Sequence, residues 1–263
     1  MTDWDAARRL LEGDRIWCAY ALADLDSHLR QLCDVWMEQD SLLLRFRGLT
    51  PSVLFAYGEP AAVYKMCEAI EPKRYIFTFD IPTRSALRDL LQVESENEMH
   101  RMVYSGSELP VKKMADAQPL SLANLNAIQD LMAGHDDRPD AFDPSQLDHG
   151  CFFGVWREGS LVAMAGTHVL STAMGVAAIG NVFTHPDWRG KGWGRSASAA
   201  VLSSLVERGI PTIVLNTQVE NHAAIQLYRG LGFESYCHYM EGIALAPAGV
   251  TEKNTHSRRG RSA

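Results

Sequence analysis

Three glycines at alternate positions, Gly190, Gly192 and Gly194, are interleaved with Arg189, Lys191, Trp193 and Arg195. Glycine lets backbone approach a ligand closely, and a glycine turn that opens a helix bares N–H groups at that helix's positive end. The chemistry this suits is the seating of a phosphate or pyrophosphate on backbone amides, with cationic side chains adding charge. Spacing excludes two other phosphate turns. A dinucleotide fingerprint needs Gly-x-Gly-x-x-Gly, and a P-loop needs Gly-Lys followed by Ser or Thr, whereas Lys191 is followed by Gly192.

A second group follows at Asn221-His-Ala-Ala-Ile-Gln-Leu-Tyr-Arg-Gly-Leu-Gly-Phe233. A phenol such as Tyr228 is protonated near neutral pH and can act as a general acid. Taken alone, Tyr228 reads as a helix tyrosine packed beside Leu227 and Leu231. Asn221 is a favoured helix N-cap. His168, in Gly-Thr-His-Val, has two readings: a base that titrates near working pH, or a polar residue on a strand's outer face. His185 reads as a structural hydrogen-bonder between strand and turn, and nothing places Asp148 or His149 in a cleft.

The elements that must carry these groups can be read in order. Val176–Thr184 reads as a strand that Pro186 stops, because proline has no N–H to give a ladder. Small and apolar residues from Ser196 onward continue as a helix to Arg208, with Gly209 as its stop. Strands are expected at Cys151–Arg157, Leu161–Leu170, Thr212–Asn216 and Glu234–Leu245, with a tight hairpin at Glu158-Gly159. Asn221 should cap a helix that ends near Gly230 or Gly232. Upstream, apolar residues from Leu10 to Trp36 recur at spacings of three and four, which predicts helices over 3–37. Strands at 41–46, 52–57, 74–80 and 99–104 and helices at 60–70 and 83–91 give the first half a mixed core of its own. Turn chemistry at Ser105–Pro110 and Gln118-Pro119 marks a boundary, followed by helices at 121–133 and 140–147. Residues 247–263 read as a disordered tail.

Composition narrows the function classes. The chain has 263 residues, of which 46% are hydrophobic and 22% charged, an ordinary globular balance. A net charge of −7, with no basic stripe before the tail, argues against nucleic acid as a partner. The five cysteines form no Cys-x-x-Cys pair, so neither a zinc site nor a disulfide framework is indicated. No run of about 18 apolar residues predicts a membrane span. The acidic start, Met1-Thr-Asp-Trp-Asp-Ala, is unlike a secretory signal, and a cytoplasmic location is expected.

The two chemical groups stand in a recognisable register. Arg189-x-x-Gly192-x-Gly194, preceded by Val182-x-x-x-Pro186, resembles the acyl-CoA-binding signature of the GCN5-related N-acetyltransferases (GNAT). Asn221–Phe233 is similar to that superfamily's Asn-x-x-Ala-x-x-Leu-Tyr-x-x-x-Gly-Phe segment. The wording Gly-Asn-Val-Phe-Thr-His-Pro and Arg-Gly-Lys-Gly resembles the branch holding FR47-like and glycine N-acyltransferase-like proteins. The likeness covers about residues 120–245.

The resemblance implies an α+β fold, a mixed, mainly antiparallel sheet flanked by helices. It places a GNAT domain over 120–246 and a degenerate copy of the fold over 1–110. It implies that acetyl-CoA is held by Val182, Phe183, Thr184, Arg189, Gly190, Lys191, Gly192, Trp193, Gly194, Arg195, Asn216, Asn221 and Tyr228. The pantetheine arm would pair as an extra strand where the strand ending at Val182–Thr184 splays from its neighbour near Asn216. Tyr228 would protonate the departing thiolate, and backbone N–H near Val182–Phe183 would polarise the thioester carbonyl. No metal is implied. The acceptor would be a primary amine of a small molecule or peptide. The chain departs from the glycine-acylating branch at Ala178, where a glutamate is expected, and no carboxylate lies between Gly175 and His185. That leaves His168 as the candidate to replace it. It also keeps open an alternative reading, a catalytically silent acyl-CoA-binding or scaffold module.

Overall fold

The computed structural model describes residues 2–106, 117–139 and 142–247. The tail beyond Pro247 and most of the boundary segment lie outside the described residues.

The first half carries helices α1 (Trp4–Leu11) and α2 (Ala19–Asp24), then strands β1 (Cys33–Glu38), β2 (Ser41–Phe46) and β3 (Ser52–Tyr57). Helix α3 (Pro60–Glu68), strand β4 (Lys73–Asp80), helix α4 (Ile81–Ala86) and strand β5 (Gln92–Tyr104) follow. The second half carries β6 (Ala117–Pro119), α5 (Leu125–Met132), α6 (Gln146–His149), β7 (Phe153–Arg157), β8 (Ser160–Ser171) and β9 (Val176–Thr184). It ends with α7 (Trp193–Glu207), β10 (Thr212–Gln218), α8 (His222–Arg229) and β11 (Phe233–Ala246).

All the described strands join one 11-stranded sheet in the order β1-β2-β3-β4-β11-β5-β10-β9-β8-β7-β6. Both halves follow one plan. Antiparallel strands lead to a parallel pair, β3 with β4 in the first half and β9 with β10 in the second. A helix bridges each parallel pair, α3 and α7 respectively, as a parallel connection requires. The last strand of each half then lies against the other half: β11 pairs with β4, β5 pairs with β10, and β5 and β11 pair with each other.

Side-chain alternation splits the core between the two faces of the sheet. Ala177, Ile179, Ile213 and Leu215 pack with Ala197, Val201, Leu202 and Leu205 of α7. Ala178, Val214 and Tyr239 pack instead with Trp17 and with Ala21 and Leu22 of α2. A helix of the first half therefore roofs the central strands of the second.

Several expected elements differ. The helical period does not run through Trp36, because Cys33–Glu38 is the edge strand β1. Its whole length pairs with β2 across a two-residue turn in which Gln39 has φ 54°. Strand β5 starts at Gln92 rather than residue 99, since β11 supplies a partner along its full length. The helix expected over 83–91 is the shorter α4, whose N-cap Asp80 accepts from the Thr83 N–H at 2.7 Å. The helix expected over 140–147 is observed at Gln146–His149, and residues 140 and 141 lie outside the described residues.

Candidate active site

The parallel ladder between β9 and β10 is short. It begins at Val176↔Thr212 and ends at Ile179↔Leu215. Beyond it, β9 bulges at Asn181, whose φ is 51°, and its register with β8 shifts. Phe183 and Thr184 keep β8 as their neighbour, at Met164 and Ala163. Asn216, Thr217 and Gln218 keep β5, at Arg101, His100 and Met99. The two strands thus part into a wedge, and among the described residues no strand fills the side on which they face each other. Backbone groups on such edges need partners, and an extended ligand can supply them. This is the splay that the resemblance led us to expect.

The glycine turn stands where β9 ends. Gly190 and Gly192 have φ of 73° and 83°, values that suit glycine, and Gly192 is the N-cap of α7. A Cβ on Gly194 would stand 2.8 Å from Thr184 Oγ1, so the first turn of α7 lies directly on the last residue of β9. Among the described residues, no backbone carbonyl accepts from the N–H groups of Gly190 to Arg195. The nearby cations are already engaged. Arg189 pairs with Asp137 at 2.6 Å and donates to the Thr184 carbonyl at 3.0 Å. Lys191 donates to the Asp187 carbonyl at 3.1 Å, and Arg195 to that of Gly230 at 2.5 Å. The indole of Trp193 lies under Arg157, 3.8 Å from its guanidinium carbon. Hence the turn offers a run of backbone amides without a protein partner, together with the buried indole N–H of Trp193, and such amides are what a pyrophosphate-bearing carrier requires.

Helix α8 stands beyond the wedge. Asn221 caps it, its side chain accepting from the Ala224 N–H at 3.1 Å. Tyr228 is 7% exposed and packs with Ile225, Leu231 and Phe233. Burial pushes its phenol up to about 12, so it holds its proton at any physiological pH. The core packing read from the sequence is present, and a phenol that keeps its proton is what the general-acid reading would require.

His168 lies on the opposite face of the sheet from α7. Its ring occupies the place of a side chain on Gly180, so a Cβ at Gly180 would collide with it. The Asn181 backbone N–H donates to His168 Nε2 at 3.2 Å. A backbone N–H can only donate, so Nε2 is the unprotonated nitrogen of the neutral ring and Nδ1 carries the proton. Nδ1 then donates to Tyr20 Oη at 3.1 Å. Asn181 is held further by its side-chain amide, which donates to Gln146 Oε1 at 3.0 Å. His185 is a local structural group, its ring accepting from the Asp187 N–H at 3.3 Å. His149 ends α6 with its ring 6.4 Å from that of His28. Ala178, where a carboxylate was sought, is fully buried in the cluster that contains α2.

Asn216 reaches away from the wedge. Its Oδ1 accepts from Arg101 Nε at 2.7 Å. Arg101 is 1% exposed and also donates to the carbonyls of Ile16 at 3.1 Å and Trp17 at 2.7 Å. Its guanidinium lies within 5.3 Å of the ring centres of Trp17, Tyr20 and Tyr239. Sequence reasoning found neither Arg101 nor Tyr20. Both act across the two halves, where no local spacing signals them. Among the described residues, no group of three or more His, Cys, Asp or Glu is placed to hold a metal. No helix there is long and apolar enough to cross a membrane.

A mixed sheet that opens between its parallel strands, beside a helix whose leading amides stand unengaged, has the architecture of the GNAT acetyltransferase fold. Residues 121–233 match the family described as "Acetyltransferase (GNAT) family". The match is confined to that segment, less than half of the chain, which is similar to the family there. A GNAT-family acetyltransferase from Novosphingobium aromaticivorans shares the fold with a TM-score of 0.62 at 20% identity, over 85% of this chain and 95% of that one. A GCN5-related N-acetyltransferase from Kribbella flavida gives 0.61 at 18% identity, over 89% and 95%. At these identities the likeness is one of fold, and it extends over the first half as well as the second. Among curated relatives, a mycothiol acetyltransferase from Thermobifida fusca is 37% identical over 100 residues, 35% of this chain and 30% of that protein. A [ribosomal protein bS18]-alanine N-acetyltransferase from Escherichia coli K12 is 33% identical over 92 residues, 35% of this chain and 60% of that protein. The chain thus matches less than two thirds of either relative's length.

Proposed function

We propose that the protein is an N-acetyltransferase that moves an acetyl group from acetyl-CoA to a primary amine of a small molecule or peptide. The observation that carries this is the wedge between β9 and β10, whose unpaired backbone edges lie beside the unengaged amides of Gly190–Arg195. Acetyl-CoA would supply the activated acyl group. The amides of the turn would hold its pyrophosphate, and the edges of Val182–Thr184 and Asn216–Gln218 would pair with its pantetheine arm. The relatives named as acetyltransferases support acetyl as the group moved.

In this reading Tyr228 gives its proton to the leaving thiolate as the carbon–sulfur bond breaks. Backbone N–H near Val182–Phe183 stabilises the carbonyl oxygen as charge gathers there. No side chain is assigned to take the amine's proton. Ala178 has no basic group, and the Nε2 lone pair of His168 faces the Asn181 N–H. The amine would therefore lose its proton to water and react as the neutral species. Asn221 and Asn216 serve through structure, one capping α8 and the other fixed by Arg101.

The first half is proposed to be a degenerate copy of the same unit, spanning roughly residues 1–110, with the GNAT unit over 120–246. Its parallel pair also ends early, at Phe55↔Thr78. There the carbonyl of Ala56, one residue beyond, accepts from the indole of Trp17 at 3.3 Å. The turn into α3 offers Glu59 and Pro60, a negative charge and a residue without an N–H, where a phosphate would need donors. The copy keeps the scaffold without the seat.

Calorimetry with acetyl-CoA, joined to a free-thiol release assay over a panel of primary amines, tests the proposal. Micromolar to millimolar binding with amine-dependent thiol release is expected. Binding with no thiol release on any amine would leave a silent acyl-CoA module instead.

A further inference from the structure

The five residues from Ile16 to Tyr20 touch both walls of the wedge, although they belong to the first half of the chain. On the β9 wall the path is Tyr20 Oη to His168 Nδ1 at 3.1 Å, then His168 Nε2 to the Asn181 N–H at 3.2 Å. On the β10 wall the carbonyls of Ile16 and Trp17 hold Arg101 Nη1 at 3.1 and 2.7 Å, and Arg101 Nε holds Asn216 Oδ1 at 2.7 Å. Both paths end where the β9–β10 ladder has just stopped, at Asn181 and Asn216. The same segment is itself anchored, because Trp17 is buried against Phe55 and Tyr239 and donates to the Ala56 carbonyl at 3.3 Å.

We propose that the segment Ile16–Tyr20 is a brace that sets how far β9 and β10 stand apart, with Tyr20, His168 and Arg101 as positioning residues for the donor slot. The physical case rests on the donor and acceptor roles of the imidazole nitrogens. A neutral imidazole has one donor and one acceptor nitrogen. With Tyr20 Oη taking the Nδ1 proton, Nε2 is committed to the Asn181 N–H, and the bulge that turns β9 away from β10 is held. Without the phenol oxygen, Nδ1 loses that partner and the other tautomer becomes available. In that tautomer Nε2–H confronts the Asn181 N–H, and the bulge is released. Arg101 acts on the other wall. Its buried guanidinium needs all its acceptors, so it fixes Asn216 relative to the segment. The brace explains how the first half, which lacks a phosphate seat, can still govern the second.

This inference rests on the proposed reading only for the identity of the slot's occupant, so its primary test needs no ligand. Amide hydrogen exchange would be followed residue by residue in the wild-type chain, Tyr20→Phe and Arg101→Lys. In Tyr20→Phe, exchange at Asn181 and Thr184 should rise at least tenfold, while amides of the β7–β8 hairpin stay within twofold. In Arg101→Lys, the rise should appear at Asn216–Gln218. A second readout is kinetic: Tyr20→Phe should raise KM for acetyl-CoA three- to tenfold and leave KM for the amine within twofold. Exchange at both walls within twofold of wild type in folded Tyr20→Phe would overturn the brace, and so would a rise spread evenly over the whole sheet. Should Arg101→Lys fail to fold, Tyr20→Phe alone decides, since it keeps the ring and removes one oxygen. Failure of wild type to bind acetyl-CoA would sink the functional reading and leave the exchange result standing.

Discussion

At the scale of single residues, the proposed chemistry turns on Tyr228 as the acid and on how the amine loses its proton, and the two are tested differently. Tyr228 is buried and its phenol is pushed up to about 12, so its proton is available across the working range. Tyr228→Phe keeps the packing against Phe233 and removes the proton. The expected result is a fall in kcat of about 10²- to 10⁴-fold, the usual worth of a general acid. Acetyl-CoA affinity by calorimetry should stay within about twofold. Unchanged turnover would remove Tyr228 as the acid. For deprotonation, the absence of an assigned base makes log kcat/KM rise with unit slope as pH climbs toward the acceptor amine's own pKa. His168→Ala should lower kcat/KM and leave that slope and its midpoint in place. A midpoint that moves with the substitution would restore His168 as the base. Tyr228 was legible as a candidate through its fixed spacing from Asn221, and His168 only as a histidine on the strand before β9. Tyr20 and Arg101 were not, since their partners His168 and Asn216 lie 148 and 115 residues away.

At the scale of elements, α2 was legible as a helix, but its place over the central strands of the second half was not. Its alanines, Ala19, Ala21 and Ala23, are buried and let it lie closely over β8 and β9. Tyr20 and Asp24 sit four residues apart, on one side of this helix. Burial pushes the Asp24 carboxyl up from 3.8 to about 8. A raised carboxyl stabilises the fold fully below pH 3.8, where it is protonated in both states. That stabilisation is lost as pH rises through 8, because the folded state resists an ionisation that the unfolded chain accepts. Asp24→Asn removes the titration. Melting temperatures measured from pH 4 to 9 should show the variant gaining on wild type by at least about 3 °C between pH 5 and 8, then running parallel. A constant difference over that range would show that Asp24 ionises in the folded state as it does in the unfolded one. Most elements of the second half, by contrast, were readable to within a few residues, except α6, which is shorter and later than expected, and β6, which holds the Gln118-Pro119 pair that reads as a turn. β9 and α8 carry clean periods with a capping or breaking residue at their ends. β1 was missed because its apolar residues continue a helical spacing begun upstream, and only its pairing with β2 settles it as a strand.

At the scale of the whole molecule, the halves are joined by strand exchange as well as by packing. β5 is the last strand of the first half, yet it completes the sheet beside β10, and β11 completes it beside β4. No periodicity in sequence can announce this, since each strand looks the same whichever neighbour it takes. A fragment covering 117–247 would expose the edge of β10 from Val214 to Gln218 and the whole of β11, together with the apolar surface that α2 covers. Long unpaired edges of this kind aggregate or pair with other chains. The 1–106 fragment would equally leave β4 and β5 without β11 between them. Neither fragment should give a cooperative thermal transition when made alone. Co-expressed, they should associate one to one, because the cut falls between β5 and β6 and interrupts no described strand. The reassembled pair should melt cooperatively by circular dichroism and recover acetyl-CoA binding. A 117–247 fragment that melts cooperatively and binds acetyl-CoA unaided would show that the second half needs neither the exchanged strand nor the first half's roof. The first half would then be an attachment to the site instead of a part of it.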